Sequence, residues 1–214
     1  MPTLAETVTR VLDDLSRPSD ELGDIAQREI LSAIAHYGSE RFSFNERIIT
    51  STLLATNTYL FTDLIGAAST SIADILRIDA IKITYSGREY ELEQENWPRL
   101  FQLDAIGTTS SQPDFWATFN KTVRFYPTPN TSISAQITAH VRLTPLDGVT
   151  YIENEWLNEA EELIRSRACR MICMRKLDDF EKANVFMGLE ADALKRLRVD
   201  AATVQATGRL ASND

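Results

Sequence analysis

ENEWLNEAEELIRSRACRMICMRKLDDFEKANVFMGLEADALKRLR, residues 153–198, reads as two amphipathic helices joined by a short turn. In the first, Trp156, Ala160, Leu163, Ile164, Ala168, Met171 and Ile172 recur at the three-to-four residue spacing of one helical face. Asn154 is placed to cap it. Glu155, Glu159, Glu161 and Glu162 fill its early turns, and Arg165, Arg167, Arg170, Arg175 and Lys176 its later ones, in the order the helix dipole favours. The second helix begins near Asp178 and is expected to bury Phe180, Ala183, Met187, Ala191 and Leu194. Its other flank carries Phe186, Ala193 and Leu197, more apolar surface than one partner helix covers. That surplus suits a second neighbour, either the N-terminal helices or another subunit, and the three are the candidates for a subunit interface. Gly188 is the one helix breaker in the pair.

Working outward, Thr3 to Leu15 reads as a short helix with Thr3 and Glu6 as a capping box. Arg17-Pro18-Ser19-Asp20 breaks it, and Glu21 to Tyr37 forms the next, with Ile30, Ala33, Ile34 and Tyr37 on one face and Gly38 at its end. The pattern then turns to period two. Arg41 to Glu46 alternates like a strand, and Asn57 to Phe61 reads as a short one. Ile75 to Tyr85 meets Glu89 to Leu92 across Ser86-Gly87-Arg88, and a second hairpin turns at Asn120-Lys121. Trp97 opens a short helical stretch to Ile106, and Gly107 to Pro113 reads as a surface loop. Pro127-Thr128-Pro129-Asn130 forces a turn. Ile133 to Leu143 is the clearest strand, its odd positions apolar and its even positions, His140 among them, facing solvent.

The expected architecture is α+β, a helical bundle with an inserted antiparallel β-rich subdomain. Its parts are N-terminal helices over 1–40, the insertion over 41–150, the helical hairpin over 151–198 and an extended C-terminal arm over 199–214. From Asp200 the chain is small and polar with no helical face, which suits either a frayed terminus or an arm that orders on a partner.

Composition narrows function. The 214 residues are 43% hydrophobic and 25% charged, ordinary for a globular protein. A net charge of −9 opposes a protein that neutralises many phosphates, and with it a DNA-binding regulator, yet suits one that lets DNA pass. No run is long and apolar enough to span a membrane, and no secretory leader is visible, so the expected compartment is the cytosol. Cys169 and Cys173, four apart on one helix, lack the further ligands a zinc site needs; they read as reduced and partly buried, with a bridge between subunits as the alternative. No phosphate loop, nucleophile elbow or His-Glu zinc motif is present. The carboxylates of Glu153 to Glu162 match a helix start better than a catalytic pair, and Trp97, Trp116 and Trp156 read as anchors. Neither catalytic residue, metal nor cofactor is expected.

Several motifs in order resemble the bacteriophage head-to-tail adaptor family, also called connector or head-completion proteins. Arg41-Phe42-Ser43-Phe44-Asn45-Glu46 is similar to that family's Arg-Phe-Trp-Phe-Asn-Glu segment, with Ser43 in place of Trp. Val123-Arg124-Phe125-Tyr126-Pro127-Thr128-Pro129 resembles its strand ending in a Tyr-Pro-x-Pro turn, and Thr203 to Leu210 its Thr-Gly-Arg-Ile tail. The resemblance implies a virion protein of the phage neck, assembled in the host cytoplasm as a ring of twelve copies beneath the portal. Such a ring extends the DNA channel, passes genomic DNA without reading its sequence and carries the downstream tail or neck proteins. The helical bundle would line the channel and the β-rich part face outward or tailward. The portal-docking arm would comprise Val199, Thr203, Val204, Thr207, Gly208, Arg209 and Leu210. A tail-completion or tail-platform protein of the same plan is the nearest alternative, and a small enzyme with a cleft in the insertion a distant one.

Overall fold

The computed structural model describes residues 2–17, 19–65, 71–106, 110–147 and 154–210, with the backbone alone at 19–20 and 204–210. Pro18, the loop start at 107–109, Glu153 and the last four residues lie outside them. The chain is α+β and divides into two compact units, Met1–Asn45 with Leu143–Asp214, and Glu46–Arg142.

In the helical unit, α1 (Leu4–Leu15) starts with the expected capping box, Thr3 and Glu6 bonding each other's backbone, and ends at Ser16 in the left-handed region. α2 (Ser19–Tyr37) buries Ile30, Ala33, Ile34 and Tyr37. It stops at Gly38, where a Cβ would meet the Ile34 carbonyl oxygen at 3.3 Å. The expected strand at Arg41 to Glu46 is instead a 3-10 turn over Ser43–Asn45. Asn45, itself buried, accepts from the Phe42 amide at 2.9 Å and donates to the Glu40 carbonyl at 2.8 Å. That folds the segment on itself and turns Phe42 and Phe44 onto the same side. Both rings meet the Trp156 indole edge-on at 5.7 and 5.0 Å. Alternation here marks two rings on one anchor, not a pleat.

The first C-terminal helix is interrupted. α5 (Glu155–Glu159), capped by Asn154, ends at Ala160, whose φ of −123° leaves the helical region, and α6 (Glu161–Ile172) follows. A π-helical turn at Cys173–Leu177 and left-handed Asp178 then reverse the chain. α6 is the hub of the unit and packs on α1, α2 and α7 (Phe180–Leu210). Leu163, Ile164, Ser166, Ala168, Cys169 and Ile172 are accordingly buried around much of its circumference.

α7 departs from expectation twice. Its helical backbone runs without a break to Leu210, where an extended arm was expected from Val199. Ala201, Ala202 and Ala206 are strong helix formers, and they carry the helix through a stretch that lacks apolar periodicity. Its faces are also exchanged. Phe186 and Ala193, expected outside, are 7% and 4% exposed, and Leu197 is half-buried. Phe180 and Met187, expected inside, are 61% and 50% exposed, and Ala191 is exposed too. Ala183 is buried as expected, and Leu194, also expected inside, is half-buried like Leu197.

In the β-rich unit, β1 (Glu46–Leu53), β10 (Ile133–Leu143), β3 (Ile72–Tyr85) and β4 (Arg88–Glu91) form one sheet in that order. β2 (Thr58–Leu60), β8 (Thr122–Tyr126), β7 (Phe115–Phe119) and β5 (Glu93–Gln94) form a second, in which β5 runs parallel to β7. Both predicted hairpins are two-residue turns with positive φ at each centre, 50° and 75° at Ser86-Gly87 and 46° and 61° at Asn120-Lys121. That geometry matches the twist of the paired strands. Lys121 also ties its turn to β3, donating to Asp74 at 3.0 Å and to the Ile75 carbonyl at 2.5 Å.

β10 buries Ile133, Ala135, Ile137, Ala139, Val141 and Leu143 as the alternation requires. His140, expected in solvent, is 6% exposed. Within the expected loop before Pro113, Ser110–Ser111 form a short strand, β6, parallel to β9 (Thr128–Pro129). α3 (Phe61–Ile65) and α4 (Trp97–Ile106) complete the unit. The buried Trp116 donates to the Leu92 carbonyl at 3.2 Å.

Candidate assembly surface

The surface that carries both an ordered charged centre and exposed apolar residues is that of α7. Its inward stripe runs Ala183, Phe186, Glu190, Ala193, Leu197 and Ala201, at helical spacing along the α6 contact. Near the middle lies a carboxylate, Glu190, only 5% exposed. Tyr37 of α2 donates to it at 2.5 Å and Arg167 of α6 at 2.9 Å. Arg170 Nε stands 3.0 Å from its second oxygen, an ion pair without hydrogen-bond alignment. The Arg167 guanidinium also lies 5.4 Å above the Tyr37 ring. Burial and the bond to Glu190 push the Tyr37 phenol up to about 12.

Around this centre the helices are tied by pairs at the rim. Arg10 of α1 takes Glu161 at 2.7 Å, Arg165 takes Asp14 at 2.8 Å, and Arg175 takes Glu29 of α2 at 3.1 Å. Arg196 of α7 reaches Glu162 at 2.8 Å, and Arg198 reaches Glu40 at 3.0 Å. These pairs engage five acidic side chains and five arginines of the bundle.

Facing outward, α7 shows Phe180, Val185, Met187, Leu189 and Val199, all 43% exposed or more. Farther along, an open depression of about 540 Å³ is lined by Asp192, Lys195, Arg196, Val199 and Asp200. Of the arm residues, Val199 is exposed and Thr203 donates back to the Val199 carbonyl at 2.9 Å, so both sit in regular helix. Val204, Thr207, Gly208, Arg209 and Leu210 continue that helix in backbone.

The β-rich unit holds a second exposed apolar surface. Trp97 lies 5.9 Å from Phe101 and 5.8 Å from Phe119, and the latter two are exposed. Arg124 stacks 4.3 Å over Phe101 and pairs with Asp104 beneath it. The sequence marked Trp97 as an anchor and gave Phe101, Phe119 and Arg124 no role. The signal was Trp97 and Phe101, four residues apart on one helical face.

Cys169 and Cys173 are fully buried free thiols, and burial pushes Cys169 up to about 12, far from a reactive thiolate. Burial likewise puts a bridge between subunits out of their reach. Among the described residues, no group of three or more His, Cys, Asp and Glu could hold a metal. Nor is any helix among them long and apolar enough to cross a membrane.

No curated protein matches the chain closely enough to serve as a relative. The sequence pattern of the SU10 adaptor protein family, by contrast, matches residues 2–212. With order, fold and match in agreement over nearly its whole length, the chain belongs to this family of phage head–tail adaptors.

Proposed function

We propose that the protein works without catalysis as a ring of copies seated below the portal, where it lengthens the DNA channel and offers the tail its platform. The family match across residues 2–212 carries this reading, since it places the chain among phage adaptors and so in the virion neck. The copies meet along the outward stripe of α7, Phe180, Met187 and their neighbours, because Phe186 and Ala193 are already occupied inside the protomer. A ring needs two distinct contact patches on each copy, and the exposed aromatic group of α4 is the available second. Portal docking falls to the end of α7, from Val199 through Thr203, Val204, Thr207, Gly208 and Arg209 to Leu210, as a helix instead of an extended arm. Arginines held in rim pairs, and a net charge of −9, keep the ring from gripping DNA phosphates as it passes.

Mass measurement on the purified protein, alone and mixed with its portal, tests the reading. A monomer that forms a ring-sized complex on the portal is expected. A monomer or dimer indifferent to the portal overturns it. Deleting residues 204–214 leaves in place the described buried stripe of α7 through Ala201, so the fold should survive while portal attachment is lost. Normal attachment of that shortened chain would move the docking site elsewhere.

A further inference from the structure

The exchange of faces on α7 has a single chemical cause. Taking the inward stripe one residue further along the helix gives Met187, Ala191, Leu194 and Arg198 in place of Phe186, Glu190, Ala193 and Leu197. One residue is about 100° of rotation, so the two stripes are alternative seats for the same helix on α6. The alternative seat is apolar over about two turns, from Met187 to Leu194, and buries no ion until Arg198, at its end. The seat actually taken buries a carboxylate, which costs solvation that apolar contact does not return. What offsets that cost is the set of partners waiting for it. Tyr37, Arg167 and Arg170 converge from two helices on the Glu190 oxygens at 2.5, 2.9 and 3.0 Å. Turned by one residue, α7 would present Ala191 to those two arginines and leave both half-buried without a counter-charge.

We infer that Glu190, with Arg167, Arg170 and Tyr37, is a rotational lock that selects which apolar stripe of α7 the protein shows to a partner. The lock spans α2, α6 and α7 and acts on the orientation of α7 more than on its existence. It decides that Phe180 and Met187 face outward and that Phe186 and Ala193 do not, whatever covers the outward stripe.

Exchanging the two residues tests it, with Glu190→Ala and Ala191→Glu in one chain. Single cysteines at Met187→Cys and Ala193→Cys report the two faces by thiol labelling, and the buried Cys169 and Cys173 serve as internal standards for global opening. In the unaltered helix the probe at 187 labels fast and that at 193 slowly. In the exchanged helix the order should reverse, each rate shifting about tenfold or more, as expected when a charged buried hydrogen-bond set moves. A folded exchange variant that keeps the original order overturns the lock. Should the exchange prevent folding, seen as rapid labelling of Cys169 and Cys173, Glu190→Gln decides. That variant should label at Ala193→Cys about tenfold faster with the native thiols still protected. If the 193 probe stays protected, or is freed only together with Cys169 and Cys173, the lock is refuted.

Discussion

α6 and α7 lie against one another, share a sequence stretch and have similar apolar content, yet one was readable and the other was not. On α6 the apolar spacing named the buried residues: Leu163, Ile164, Ala168 and Ile172 are all fully covered. On α7 the same reasoning selected Phe180 and Met187, which are exposed, and turned Phe186 and Ala193 outward, where they are not. The difference is charge. Every buried position of α6 is apolar or small, whereas α7 buries Glu190, and a pattern rule treats a glutamate as a solvent marker. Only the partners on two other helices make Glu190 an inside residue, and those partners are 20 and more residues away in sequence.

The largest effect that sharpens this contrast comes from the part of the hairpin that reads cleanly. Trp156 is 2% exposed and carries Phe42 and Phe44 on its edges, so Trp156→Ala should lower stability by about 3–5 kcal/mol in chemical denaturation. An unchanged midpoint would mean that the anchor is not in the core. Adjacent residues of α7 then separate its two faces. Phe186→Ala should cost about 3 kcal/mol, and Met187→Ala less than about 0.5 kcal/mol in the free protomer. Equal losses at both would break the assignment of faces. If α7 is the contact between copies, Met187→Ala should instead weaken the assembled ring.

Much of the fold was legible for a local reason. The capping box at Thr3 and Glu6, the two-residue turns at Ser86-Gly87 and Asn120-Lys121, and the alternation of Ile133 to Leu143 each depend on neighbours within a few residues. What was missed depends on distant ones. Phe42 and Phe44 alternate like strand residues but are folded back by Asn45 and gathered by Trp156, 112 residues beyond Phe44. His140 occupies a polar register position and is buried all the same. The helix through Val199 to Leu210 has no apolar stripe to announce it, and alanine content was its only trace. The candidate surface inherits the same limit: its apolar residues were visible as a surplus, while their direction hung on one carboxylate.

Alkaline pH probes the buried cluster with an intermediate effect. The folded Tyr37 phenol sits at about 12, above its ordinary value near 10. Because the folded pKa is raised, the associated stability is complete below pH 10 and disappears as pH rises toward about 12, where the folded form ionises too. Tyr37→Phe should remove that part of the alkaline loss, and at neutral pH should cost about 1–3 kcal/mol for the bond Glu190 forfeits. Denaturation midpoints from pH 8 to 12 would show the two curves converging. Parallel curves would mean that Tyr37 does not titrate with unfolding. Cys169, raised to about 12 by burial, adds a loss of the same sign in both proteins and so cancels in the comparison.

The smallest effect is the most telling about α7. Two of the ion pairs that join it to α6 differ in solvation: Arg167–Glu190 is buried, with side chains 16% and 7% exposed, and Arg196–Glu162 is open, at 62% and 48%. Their distances, 2.9 and 2.8 Å, are nearly the same, so geometry alone would rate them alike. Solvation separates them. Water screens the outer pair and already satisfies each partner, whereas breaking the inner one strands a charge in the core. Arg196→Ala should therefore change stability by no more than about 1 kcal/mol and lose even that in high salt. Arg167→Ala should cost several times as much, with little dependence on salt, because its loss leaves Glu190 with only Tyr37 and a poorly aligned Arg170. Salt titration of both variants distinguishes the two. Equal, salt-sensitive losses would show that water reaches Glu190, and the distinction between a readable helix and a locked one would fall with it.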